Sequence, residues 1–179
     1  MSLNTADASA YQLNLPNGWN RADRWILRAT ELLACLVGGT FTTLIMLEVI
    51  SRYVFDFSIF FINAAARFLL VWFFLLGAGL ALRLGAHVGL ELVSASLPRS
   101  IARVVSLVAQ LLVLVFFLEM LWSGYLALGS ASRQVDSALG VSIVWVMLAF
   151  PVGFVLLIYH QVALLVAAMR KPELEETQP

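Results

Sequence analysis

A chain of 179 residues that is 61% hydrophobic and only 12% charged, with a mean hydropathy of +0.92, lies outside the composition of soluble domains and reads as an integral membrane protein. Eleven basic residues balance eleven acidic ones, so net charge argues for neither nucleic acid nor an acidic substrate as partner. The single cysteine, Cys35, excludes an internal disulfide and a cysteine-based zinc site, and its apolar surroundings mark it as a small core hydrophobe.

Residues 1–24 form a polar segment without the charged start and short apolar core of a cleavable signal peptide. A membrane-spanning helix needs about 20 apolar residues, and four segments qualify: about 25–49, with Arg28 and Glu31 in its first turns, then 59–84, 101–128 and 141–169. Residues 170–179 close the chain as a second polar tail. The short gaps predict antiparallel neighbours, hence an all-α fold of four transmembrane helices in a small bundle.

Orientation follows from the excess of Lys and Arg at cytoplasmic ends. Arg21, Arg24, Arg28, Arg83, Arg99, Arg103, Arg170 and Lys171 fall on one side, and Arg52, Arg67 and Arg133 on the other. Both termini and the loop before Pro98 are therefore expected in the cytoplasm, and the loops around Asp56 and around Arg133 to Asp136 outside. Trp25, Trp72, Trp122 and Trp145 sit at or inside helix ends, as interfacial anchors do. Pro98 marks a helix start, and Pro151 predicts a kink near Val146 and Met147. Gly38, Gly39, Gly77, Gly79 and Gly124 are candidate points of close helix approach.

Ionisable groups within spans are costly and face protein or water. Glu48 and Arg52 are one turn apart near an outer helix end and are expected to pair. Arg67 and Glu119 lie at matched depths of about 12 to 14 Å. An ion pair between them is the preferred expectation, with Glu48 as a competing partner for Arg67. Gln110 is expected to bond across a helix interface. His87 and His160, the only histidines, differ in depth by roughly 15 Å, which disfavours a haem or metal site. There is no H-E-x-x-H and no G-x-S-x-G, and Ser51, Ser58, Ser94 and Ser96 have no base beside them, so neither catalysis nor a cofactor is expected. Four helices also offer neither a selectivity filter nor paired broken helices for a midplane substrate site.

From Glu48 the sequence reads E-V-I-S-R-Y-V-F, then an outer loop, then A-R-F-L-L-V-W-F-F-L-L-G-A-G-L-A-L-R-L-G-A-H-V, ending at a leucine-proline step. This resembles the small membrane subunit of tripartite ATP-independent periplasmic (TRAP) transporters. The matching positions are Arg52, Tyr53, Phe55, Arg67, Trp72, Gly77, Ala78, Arg83, Gly85 and His87. The motif match covers Glu48 to Pro98, and the four-span layout extends it to the whole chain. One departure is plain: where the family carries Trp and one or two glutamates before the arginine, this chain has Phe61, Ile62, Asn63 and Ala64 before Arg67.

The resemblance implies a non-catalytic scaffold in the bacterial inner membrane, surrounded by lipid. Its partner would be a large, sodium-coupled subunit of elevator type, on a separate chain in equal stoichiometry. A periplasmic binding protein would deliver an organic acid, docking on an outer surface that includes Asp56, Phe57, Arg133 and Asp136. A membrane anchor of a redox enzyme is the alternative, and it would require histidines at matched depths.

Overall fold

The computed structural model describes residues 19–94 and 99–175. It contains four long helices and one short one: α1 (Trp19–Val54), α2 (Phe60–Ser94), α3 (Arg99–Ala131), α4 (Val144–Met147) and α5 (Ala149–Glu175). Four stretches are long and apolar enough to cross a membrane: Arg21–Val54, Phe60–Arg83, Val104–Ala131 and Val144–Ala167. Among the described residues there is no strand, only an isolated antiparallel bridge between Val135 and Ser142. The helices outrun the apolar segments because backbone hydrogen bonding continues past the point where side chains turn polar; Trp19 to Arg24, polar in composition, are already helical. Residues 1–18, Pro98 and the last four residues lie outside the described residues.

α1 carries several threonines in its interior, and each hydroxyl finds a local acceptor. Thr30, Thr40, Thr42 and Thr43 all donate to the carbonyl four residues earlier, at 2.8 Å. Hydrocarbon offers hydroxyls no other partner, so these bonds let β-branched polar residues remain inside a spanning helix. The helix stops where Asp56 adopts a left-handed φ of 50°. The Phe57 amide then reaches back to the Ser51 carbonyl at 3.2 Å, and the Ser51 hydroxyl donates to the Phe57 carbonyl at 2.5 Å. This six-residue closure is a helix stop that tolerates Asp at its left-handed position.

The loop after α3 is equally self-contained. The Asp136 carboxylate accepts from the amides of Ala138 at 2.9 Å and Leu139 at 3.1 Å, and its amide donates to the Val141 carbonyl at 2.9 Å. Gly140, at φ +66°, completes the reversal.

Neighbour order differs from chain order. α1 packs on α2, α2 packs on α5, and α5 packs on α3, whereas α2 and α3 barely meet. The α4–α5 segment is consequently the most enclosed and α3 the most peripheral. Much of the core lies on α2 and α5, whose buried residues include Ile62, Ala64, Ala66 and Leu76, and Ala149, Phe154, Leu157 and Ala163. Cys35 is exposed rather than buried, because α1 is covered chiefly by α2.

The helix break expected before Pro151 falls at Leu148, between α4 and α5. Proline has no amide proton to offer one turn back, and the chain resumes through a bond from the Val152 amide to the Leu148 carbonyl at 3.2 Å. Trp72 explains its depth here: its indole N–H donates to the Trp145 carbonyl at 3.1 Å, beside the break. One turn further in, Gly153 brings the α5 backbone against α2, and a Cβ there would stand 2.7 Å from the Leu75 Cβ. Gly38 likewise accommodates the ring of Phe73, which a Cβ would approach to 2.6 Å.

These contacts set a comparison. Gly153→Ala is expected to destabilise the detergent-purified protein by about 1–3 kcal/mol, the usual cost of overpacking. Gly77→Ala, where an added Cβ meets nothing within 4 Å, should leave thermal stability unchanged or slightly raised. Melting curves read by loss of the monodisperse chromatographic peak would check both.

Candidate functional site

The described interior holds one polar junction that joins three helices. Asp23 lies in the second turn of α1, Arg83 at the end of the apolar stretch of α2, and Tyr159 and His160 in α5. Asp23 and Arg83 are each 4% exposed and His160 is fully buried. Arg83 uses the fork of its guanidinium in two directions: Nη2 donates to Asp23 Oδ1, and Nε donates to His160 Nδ1 at 3.2 Å. The Tyr159 hydroxyl donates to the same Asp23 oxygen at 3.1 Å.

Because Nδ1 of His160 accepts, the imidazole proton sits on Nε2. That edge lies against Gly79, where a Cβ would stand 3.5 Å from Nε2 and 3.1 Å from Cδ2. Nε2 itself has no hydrogen-bond partner among the described residues. Arg83 and Asp23 form an ion pair within the junction, and its bonds from α2 to α1 and α5 make it a crosslink. A buried charge is tolerable when paired and further hydrogen-bonded, and removing one partner leaves the other stranded.

Elsewhere the sequence-derived sites separate. Arg52 Nη2 donates to Glu48 Oε1 at 2.8 Å and reaches Ser58 Oγ at 3.4 Å. Glu48 is buried, and its Oε2 has no partner among the described residues. Arg67 and Glu119 are both exposed, and among the described residues no ion pair joins them to each other or Arg67 to Glu48. The expectation of an Arg67 to Glu119 pair required consecutive helices to be close neighbours, yet α3 packs chiefly on α5 and barely meets α2. An ionised side chain at the bilayer centre costs about 3 kcal/mol on insertion scales, so these two residues stand on faces that hydrocarbon alone would disfavour.

Of the motif positions, Tyr53 and Phe55 are strongly exposed around the α1–α2 loop, as are the docking candidates Asp56, Phe57 and Arg133. Asp136 is occupied by its own loop. The side chain of His87 lies outside what the structure describes. Gln110 forms its interface contact through the backbone: its carbonyl accepts from Gln161 Nε2 at 3.2 Å, while its own side chain donates to Ser106 Oγ at 3.4 Å. An open groove between α1 and α2 is lined by Cys35, Gly38, Gly39, Thr42 and Phe73. Among the described residues no group of three or more His, Cys, Asp or Glu could hold a metal ion.

Sequence reasoning counted Arg83 as a flanking charge, weighed His160 only as a haem ligand, and passed over Asp23 and Tyr159. A signal existed in part: Asp23 is an acid among Arg21, Arg24 and Arg28, at the end of the bundle where Arg83 also lies.

Residues 41–171, most of the chain, match the family model described as tripartite ATP-independent periplasmic transporters, DctQ component. The chain belongs to this family. It is therefore a transporter component, from a family that is not one of enzymes, and a multi-pass protein of the bacterial inner membrane. A curated relative, the sialic acid TRAP transporter permease protein SiaT of Haemophilus influenzae (strain 86-028NP), is 27% identical over 141 residues, covering 79% of this chain. The matched region is 22% of that relative's length, so this DctQ chain spans about a fifth of it. Arg83, Tyr159 and His160 fall inside the family match, whereas Asp23 precedes it.

Breaking the junction from one side should be severe. Asp23→Asn is expected to cost about 3–5 kcal/mol by removing the buried carboxylate that pairs with Arg83. The double change Asp23→Leu with Arg83→Met, which removes both charges, should recover most of that loss in the same thermal assay.

Proposed function

We propose that this DctQ chain is the scaffold subunit of a TRAP-type secondary transporter. It packs against a large permease subunit that moves substrate by a sodium-driven elevator motion, and it helps seat a periplasmic binding protein. The observation that carries this reading is the family match on a fold whose buried Arg83 and Asp23 pair across helices. Asp23, Arg83, Tyr159 and His160 stiffen the contact of α1, α2 and α5, and a rigid unit with apolar flanks is what a stationary partner of a moving subunit requires.

Both termini are assigned to the cytoplasm on the distribution of Lys and Arg. The α1–α2 loop with Asp56 and Phe57, and the loop of Arg133 to Asp136, then share the periplasmic end. They form the proposed docking surface, with the exposed rings of Phe55, Phe57 and Phe60 lying at membrane-interface level. The proposed substrate class is an organic acid. It rests on the resemblance and on the printed name of the SiaT relative, which specifies sialic acid.

The test is reconstitution. This chain and the large subunit should co-purify in equal amounts after mild detergent extraction. Liposomes holding both, supplied with the binding protein, should accumulate the organic acid under an inward sodium gradient and fall to background with potassium in place of sodium. Omitting this chain should also reduce uptake to background. Full transport by the large subunit without it would overturn the scaffold role.

A further inference from the structure

Glu119 lies about 18 Å along α3 from Ala131 and about 22 Å from Val104, at 1.5 Å per residue, and so near the middle of the span. It is exposed, and among the described residues no hydrogen bond or ion pair reaches it. Its two-methylene stem is too short to carry the carboxylate to either interface. Arg67 differs: it stands only about 10 Å from Phe60 on α2, and its long side chain can snorkel outward.

The surroundings of Glu119 are ordered. Val108, Leu112, Val115, Glu119, Trp122 and Leu126 follow one another at alternating steps of four and three, and the five apolar members are all at least half exposed. That spacing forms one seam along a helix and fits the knobs-into-holes packing of a second helix. In a bilayer an apolar seam alone does not choose protein over lipid, since acyl chains are as apolar as leucine. A carboxylate at its centre does choose, because only a protein partner can bring a cation or strong donor to that depth.

We propose that this seam of α3 is the docking ridge for a transmembrane helix of the large permease subunit, and that this helix presents a basic side chain opposite Glu119. The inference rests on the scaffold reading above. A second copy of the present chain is the poorer complement, since Arg67, the exposed arginine of its α2 span, sits about 8 Å shallower. α3 is also the helix least covered by its own chain, which leaves this face open to a partner.

The experiment uses the full chain co-expressed with the large subunit. A photocrosslinking benzoylphenylalanine is placed at Val115 and, separately, at Trp122, with Glu119 intact. Both positions should give products containing peptides of the large subunit, from a helix that carries Lys or Arg. Glu119→Arg should lower co-elution with the large subunit by about tenfold, and changing the opposing basic residue to Glu should restore it. If Glu119→Arg does not yield a monodisperse protein, Glu119→Gln and the crosslinks decide. Products joining two copies of this chain, products with lipid only, or wild-type co-elution of Glu119→Arg would each overturn the docking ridge. Failure of the unmodified chain to co-elute at all would instead overturn the scaffold reading itself, so the two failures are distinguishable.

Discussion

Arg83 occupies the interior with Asp23 and His160 among its partners, and those contacts draw together helices far apart in the sequence. Hydrocarbon supplies no counter-ion, so the guanidinium fixes where α1 must begin and how α5 must rotate. Its Nη2 faces the α1 acid and its Nε faces the α5 imidazole, which leaves little freedom for either helix to slide. Tyr159 adds a second donor to Asp23 from the same helix as His160. α5 thereby becomes the inner member of the bundle, with α2 on one side and α3 on another.

The same helix is also the broken one, and the break has a use. At Leu148 the regular ladder is interrupted ahead of Pro151, and the neighbouring Trp145 carbonyl is taken up by the indole of Trp72. Gly153 then allows α5 to settle against Leu75. The α2–α5 contact is thus held at one end by an indole bond, in the middle by backbone proximity, and at the other end by Arg83 and His160. Hydrophobic driving force contributes little between helices in lipid, so close approach and polar bonds have to hold the contact.

What could be read from the sequence follows from what each signal measures. Apolar length reports the number of spans, and four were legible from it. The motif from Arg52 through Arg83 resembled the small TRAP subunit, and the family match extends over residues 41–171. Neighbour order was not legible, because short loops fix which helices are antiparallel but not which faces meet. The expected partnership of Arg67 with Glu119 rests on matched depth, yet α3 runs on to Ala131 and places Glu119 about 8 Å deeper than Arg67, and depth in any case does not supply adjacency. Asp23 escaped notice because it sits where composition reads as a polar tail, although the helix already runs through it. His160 was judged against His87 as a ligand pair, a comparison that ignores the simpler need of a buried arginine for a second acceptor.

The charges of this chain therefore divide by direction. Asp23 and Arg83 point inward and cancel; Glu48 and Arg52 cancel at a helix end, with Arg52 still half open to the surroundings. Arg67 and Glu119 point outward, on two helices that barely meet. An inward pair sets the internal geometry of the bundle and asks nothing of a partner. An outward charge at depth contributes nothing to that geometry and raises the cost of leaving its face in lipid. A subunit whose work is to hold another needs both kinds: inward pairs so that its own helices do not shift, and an outward charge so that one face prefers protein to acyl chains.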